Sequence, residues 1–208
     1  MNAEKNFKYE RKTLMVVILT AITMAVEIFF GLKTNSMALL ADGIHMGSHV
    51  LAIGMSWLAY VFVRKVSASS HFEGNSQKIL SLSGYSSGLI LLIFATVILA
   101  EAFKRILTPA VINFREAILV AIIGLLVNIA SAFLLHHKEK ESDNNIRAAY
   151  VHVIADALTS ITAIIGLTAA LTFNIIWLDA LGGILGSIVI ARWSLTLMRD
   201  SGKALLDM

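Results

Sequence analysis

Two apolar stretches of this chain carry side chains that a metal ion can use as ligands. The first reads Ala41-Asp42-Gly43-Ile44-His45-Met46-Gly47-Ser48-His49 and the second Ala148-Ala149-Tyr150-Val151-His152-Val153-Ile154-Ala155-Asp156. On a helix, residues at i, i+3 and i+7 share a face, so Asp42, His45 and His49 line up along about two turns. His152 and Asp156, at i and i+4, share a face of the other helix. Facing one another, His45, His49, His152 and Asp156 form a tetrahedral shell of three nitrogens and one oxygen. Such a shell suits Zn²⁺ and is open to Co²⁺ and other borderline-soft divalent ions. Mg²⁺ and Ca²⁺ prefer oxygen ligands throughout, so three imidazoles argue against them. An imidazole must shed its proton to bind metal, so metal entry expels protons and acid expels metal. That coupling is what a metal/proton exchanger needs.

A lone histidine in an apolar span is as often a hydrogen-bonded packing residue as a ligand. Four ligand-type residues in two such pairs, in a chain with six histidines in all, are much harder to explain as packing. Other polar residues give weaker signals. Asp42 could hydrate a cavity or relay protons, and Glu27 is a further candidate for that role. Asn128 could support the site or hydrogen-bond across helices. Glu101 precedes Lys104 and Arg105 by three and four residues, the spacing of a surface ion pair. Asp179 follows a break at Asn174 and is expected near the outer boundary. Gly182 and Gly186 form a small-xxx-small pair that permits close helix contact within or between chains. His136 and His137 adjoin a loop, where paired histidines are more often only solvated.

The elements that must hold these residues follow from composition. Of 208 residues, 57% are hydrophobic and 15% charged, with a mean hydropathy of +0.78. A soluble domain carries about a quarter charged residues, because its surface must face water. The absence of cysteine excludes disulfides, thiolate metal sites and cysteine redox chemistry. The 17 Lys and Arg are scattered between apolar blocks and form no basic stripe, which argues against nucleic acid. The first apolar run, 13–32, is too long for a signal-peptide core and no small-residue cleavage site follows it.

A membrane-spanning helix needs roughly 20 apolar residues. Six segments qualify, at about 13–33, 37–63, 80–103, 114–135, 145–172 and 175–198. The breaks between them are Lys33 through Ser36, Arg64 through Gln77, Thr108-Pro109, Lys138 through Asn145, and Phe173-Asn174. The runs are continuous and do not alternate, so strands are excluded. With the N-terminus inside, thirteen Lys and Arg fall on the cytoplasmic side and only Lys33, Lys104, Arg105 and Arg115 outside. That bias predicts an all-α membrane protein, a six-transmembrane-helix bundle with both termini cytoplasmic. Residues 1–208 are expected to form a single transmembrane domain, with no soluble domain after the last span.

These residues resemble the cation diffusion facilitator family of metal/proton antiporters. The likeness is carried by Ser36-Met37-Ala38-Leu39-Leu40-Ala41-Asp42 leading into the second-span pair. It is carried equally by Arg147 through Asp156 with Ala157-Leu158-Thr159-Ser160 in the fifth span. The resemblance runs over essentially the whole chain and implies that His45, His49, His152 and Asp156 are the transport site. It also implies a multi-pass homodimer in the cell (inner) membrane, a secondary transporter with no resident cofactor beyond the metal it carries.

Two features depart from the family pattern. Zinc-transporting members that resemble this chain usually carry Asp where this sequence has His49. A His-x-x-x-His second span is similar to the cobalt/nickel-efflux (DmeF-like) branch, which favours Co²⁺ and Ni²⁺ while leaving Zn²⁺ and Cd²⁺ able to bind. Most members continue after the sixth span into a cytoplasmic domain, and the sequence reaches Met208 about where that domain would begin. The loop between the fourth and fifth spans holds only His136 and His137 where the branch is His-rich, and His71 with Glu73 offers a weak additional metal site. The rival classes are a non-transporting membrane scaffold or metal sensor, and a membrane haem protein. Haem ligands usually lie on different helices around an apolar slot. An intramembrane metallohydrolase is disfavoured, because no separate general base accompanies the ligand set.

Overall fold

The computed structural model describes residues 3–67, 75–136 and 144–207, and within them it leaves undescribed the side chains of His49, His136 and His152, among others. His71, Glu73 and His137 lie outside the described residues. The described residues form six long helices: α1 (Ala3–Thr34), α2 (Met37–Ser67), α3 (Ser76–Leu107), α4 (Phe114–His136), α5 (Asn144–Phe173) and α6 (Trp177–Leu205). Among the described residues, five stretches are long and apolar enough to cross a membrane: Met15–Thr34, Gln77–Leu107, Phe114–Phe133, Val153–Phe173 and Trp177–Leu205. In lipid a helix satisfies every backbone polar group within itself, so apolar runs of this length fold as helices.

The helices outrun the apolar segments expected from sequence. α1 begins at Ala3 where the span was expected from 13, and α6 continues to Leu205 where 198 was expected. Hydropathy marks only the part of a helix that meets lipid, whereas the hydrogen-bond ladder continues into polar ends. Lys33 and Thr34, expected in a connection, are still helical. The chain turns instead at Asn35, with φ of 59°. Ser36 N–H donates to Gly31 O at 3.0 Å and Asn35 N–H to Leu32 O at 3.3 Å. These are the two bonds of a Schellman motif, in which a left-handed residue closes the helix. Asn174, with φ of 55°, ends α5 in the same manner, Ile175 N–H donating to Ala170 O at 3.0 Å. Asparagine tolerates this conformation better than most side chains.

The principal packing pairs are α3 with α6, α1 with α2, and α4 with α5; α2 also packs against α3, α5 and α6. Small and polar residues such as Ala95, Ala102, Ala121, Ser87 and Ser194 are buried beside larger apolar ones such as Leu39, Met46 and Leu167, while Phe29, Leu119, Phe133 and Ile165 face outward. Outward apolar side chains suit a lipid solvent, where small residues let helices approach. Gly182 and Gly186 are consumed in this way inside the chain. A Cβ at Gly182 would lie 2.7 Å from Ala38 Cβ, and one at Gly186 would lie 2.7 Å from Ala41 Cβ. The glycine face therefore docks α6 on α2 and is not left free for a second chain.

Candidate metal centre

The site is built on α2, whose start is held by α6. Ser36 caps the helix, its Oγ accepting from Leu39 N–H at 3.1 Å. Asp179, in the first turn of α6, accepts from Ser36 Oγ at 2.7 Å, Met37 N–H at 2.7 Å and Ala38 N–H at 3.1 Å. A carboxylate at a helix N-terminus satisfies orphan N–H groups and complements the helix dipole. Asp179 is 1% exposed and joins two helices. Arg105 of α3 fastens the same turn, its Nη1 donating to Asn35 O at 2.9 Å, while Nε bonds Glu101 at 3.3 Å. Glu101 is thus the local pair its spacing predicted, with Lys104 at 3.5 Å.

Below this anchor, α2 and α5 run antiparallel and bring together the residues that sequence singled out. Ser160 Oγ donates to Asp42 Oδ2 at 2.8 Å. One turn further, His45 Nε2 stands 3.8 Å from Asp156 Oδ1, with Asp156 fully buried. Two donors on one tetrahedral ion are roughly 3.3–3.5 Å apart, given bonds of about 2.0–2.2 Å. A side-chain adjustment of a few tenths of an ångström therefore closes the gap. The same antiparallel register sets position 49 of α2 opposite position 152 of α5, one turn beyond. The ligand expectation for His49 and His152 rests on that register alone, since both side chains lie outside the described set. Among the described residues, no group of three or more His, Cys, Asp or Glu side chains gathers as a metal shell.

A cavity of about 240 Å³ between α2, α5 and α6 reaches this pair. Asp42, His45 and Thr159 lie at one end of its lining, and Ala38, Gly166 and Gly182 at the other, towards the α1–α2 turn. Ser160, Ser36 and Asp179 were not singled out from sequence as working parts. Ser160 carried a local signal, four residues beyond Asp156 on the same helix face. For Asp179 there was none, because its partners are more than 140 residues away. Glu27 is fully buried, and Asn128 is 1% exposed. Glu27 packs between Gly43 of α2 and Gly124 of α4.

Residues 13–206 match the model of the cation efflux transmembrane domain. This chain belongs to the cation efflux family. Cation efflux relatives include the "Zinc transporter ZitB" of Pectobacterium atrosepticum, 33% identical over 197 residues that cover 95% of this chain and 61% of the relative. The protein of the same name in Escherichia coli is 35% identical over 202 residues, 95% of this chain and 63% of the relative. A "Cadmium, cobalt and zinc/H(+)-K(+) antiporter" of Bacillus velezensis is 31% identical over 199 residues, 94% and 63% of the two chains. The chain thus spans less than two thirds of the length of these cation efflux relatives. Membership and the apolar helices together make it a multi-pass membrane protein.

Proposed function

We propose that this chain is the membrane part of a secondary transporter that exports divalent transition-metal ions in exchange for protons. The observation that carries the reading is His45 Nε2 of α2 facing Asp156 Oδ1 of α5 at 3.8 Å, with His45 lining a cavity between α2, α5 and α6. An ionisable pair at membrane depth is costly unless something charged or polar occupies it, and such pairs mark ion pathways. In this reading His45, His49, His152 and Asp156 hold the ion, and α2 also crosses the membrane, which brings the spans to six. Both termini face the cytoplasm. Metal arriving from inside displaces imidazole protons; the bundle then rocks, and external protons release the metal. Asp42 keeps the cavity wet and tethers α5 through Ser160. The working unit is a homodimer in the cell (inner) membrane, formed by surfaces other than the Gly182–Gly186 face.

Zinc is named in all three relatives, and cadmium and cobalt in one of them. His49 makes the shell richer in nitrogen, which favours Co²⁺ and Ni²⁺ with Zn²⁺ close behind. Counterflow in proteoliposomes under a pH gradient, comparing Co²⁺, Ni²⁺, Zn²⁺, Cd²⁺ and Mn²⁺, tests both levels of the reading. Metal binding without pH-driven uptake would sink the transporter and favour a sensor or scaffold. His49→Asp should move the ranking towards Zn²⁺; an unchanged ranking would show that His49 does not set selectivity.

A further inference from the structure

The cavity explains one side of the His45–Asp156 pair; the other side, where α1 packs on α4, holds polar groups that the metal route does not use. Glu27 has neither carboxylate oxygen hydrogen-bonded, Asn128 has neither amide atom bonded, and the Ser131 hydroxyl has no partner among the described residues. All three are at most 1% exposed. Gly124 makes room for them: Glu27 Oε1 lies where a Cβ on Gly124 would stand.

These groups form a continuous seam. Gly124, Asn128 and Ser131, at i, i+4 and i+7, share one face of α4. Thr20, Thr23 and Glu27, at i, i+3 and i+7, share one face of α1, and both threonines are buried. The helices are antiparallel, since Lys33 pairs with Glu116 while Glu27 meets Gly124. The seam therefore runs from Glu27 towards Thr20 and Ser131, away from the α1–α2 turn. The metal cavity runs the opposite way, towards Ala38 and Gly182. α2 faces Glu27 with Gly43 and α4 faces it with Gly124.

Buried polar groups are almost always hydrogen-bonded, and unmet ones in a polar seam are ordinarily met by internal water. We propose that the α1–α4 seam holds a file of water molecules and carries protons between the Glu27 region and the end of the bundle away from the α1–α2 turn, on a route separate from the metal's cavity. The inference rests on the exchanger reading and adds to it where the proton travels.

Two fluxes separate the routes. Net zinc uptake driven by a pH gradient needs proton movement, whereas zinc-for-zinc exchange at equal pH does not. Ser131→Val and Asn128→Leu remove polar groups from the file without touching the metal ligands. Each should lower pH-driven uptake at least about tenfold, as expected for a broken intramembrane relay, and leave zinc exchange within about twofold of the unaltered chain. Unchanged pH-driven uptake in both variants overturns the seam. Equal loss of both fluxes does so too, because it reveals a merely structural role. If the unaltered chain shows neither flux, the exchanger reading falls first and the seam with it. Failure confined to the variants removes the seam alone.

Discussion

Asp179, which packs on the start of α2, and Asp42, little more than one turn further along that helix, are both buried aspartates, and they are provided for in opposite ways. Asp179 has both oxygens filled by three donors from Ser36, Met37 and Ala38. Asp42 accepts from Ser160 Oγ at Oδ2, and its Oδ1 is without a partner among the described residues. A carboxylate whose hydrogen-bonding capacity is used up by backbone and hydroxyl donors is an anchor, since any movement leaves buried donors unmet. One that keeps capacity beside a cavity, near the His45–Asp156 pair, can take on water, a proton or an ion and release it again. The contrast divides α2 into an anchored N-terminal end and a middle whose buried polar groups keep free capacity.

The sharpest way to break that division is Asp156→Ala. Loss of a ligand should weaken zinc binding at least about 100-fold, more than loss of a supporting partner does, with transport abolished and helicity by circular dichroism retained. Full flux would remove Asp156 from the ligand set. Next in size is Asp179→Ala, which leaves two backbone N–H groups and a hydroxyl unmet in the interior. It should cost about 2–4 kcal/mol of stability, seen as a lower melting temperature in detergent. Zinc affinity of the folded fraction should hold within a few-fold; a collapse of affinity without a stability loss would mean the two ends are not separate.

Acidification gives a smaller and graded effect. The imidazoles must be neutral to bind metal, so affinity is full above the ordinary histidine value and falls below it. Between about pH 6.5 and 5.5, zinc titration calorimetry should show about a fivefold loss for each imidazole that must give up a proton, steepening to about tenfold per pH unit below that. Asp179→Ala should shift stability without altering this profile. The smallest effect expected is that of Ser160→Ala. Removing one neutral hydroxyl donor should cost about 1 kcal/mol and change zinc affinity only a few-fold. A larger loss would mark Asp42 as a ligand in its own right.

Much of the fold was legible because lipid imposes simple rules. Long apolar runs must be helices, and the breaks at Asn35 and Asn174 were marked by residues that accept a left-handed conformation. The pairing of His45 with Asp156 was legible too, because i, i+3 and i+4 spacing puts ionisable groups on one face of each helix. Helix ends were less so: Lys33 and Thr34 look like a loop by charge and polarity, yet remain helical. Glycine spacing permitted close contact without naming the partner, which proved to be Ala38 and Ala41 of the same chain.

What the sequence by itself determined is the medium, the helical elements and the faces that carry ionisable side chains, since these depend on local period and composition. Only the tertiary structure decided that Asp179 caps α2, that Ser160 meets Asp42, and that Glu27 lies against Gly124. Those contacts join residues about 100 or more positions apart. No local rule reaches that far; the packing of whole helices against one another brings such residues together.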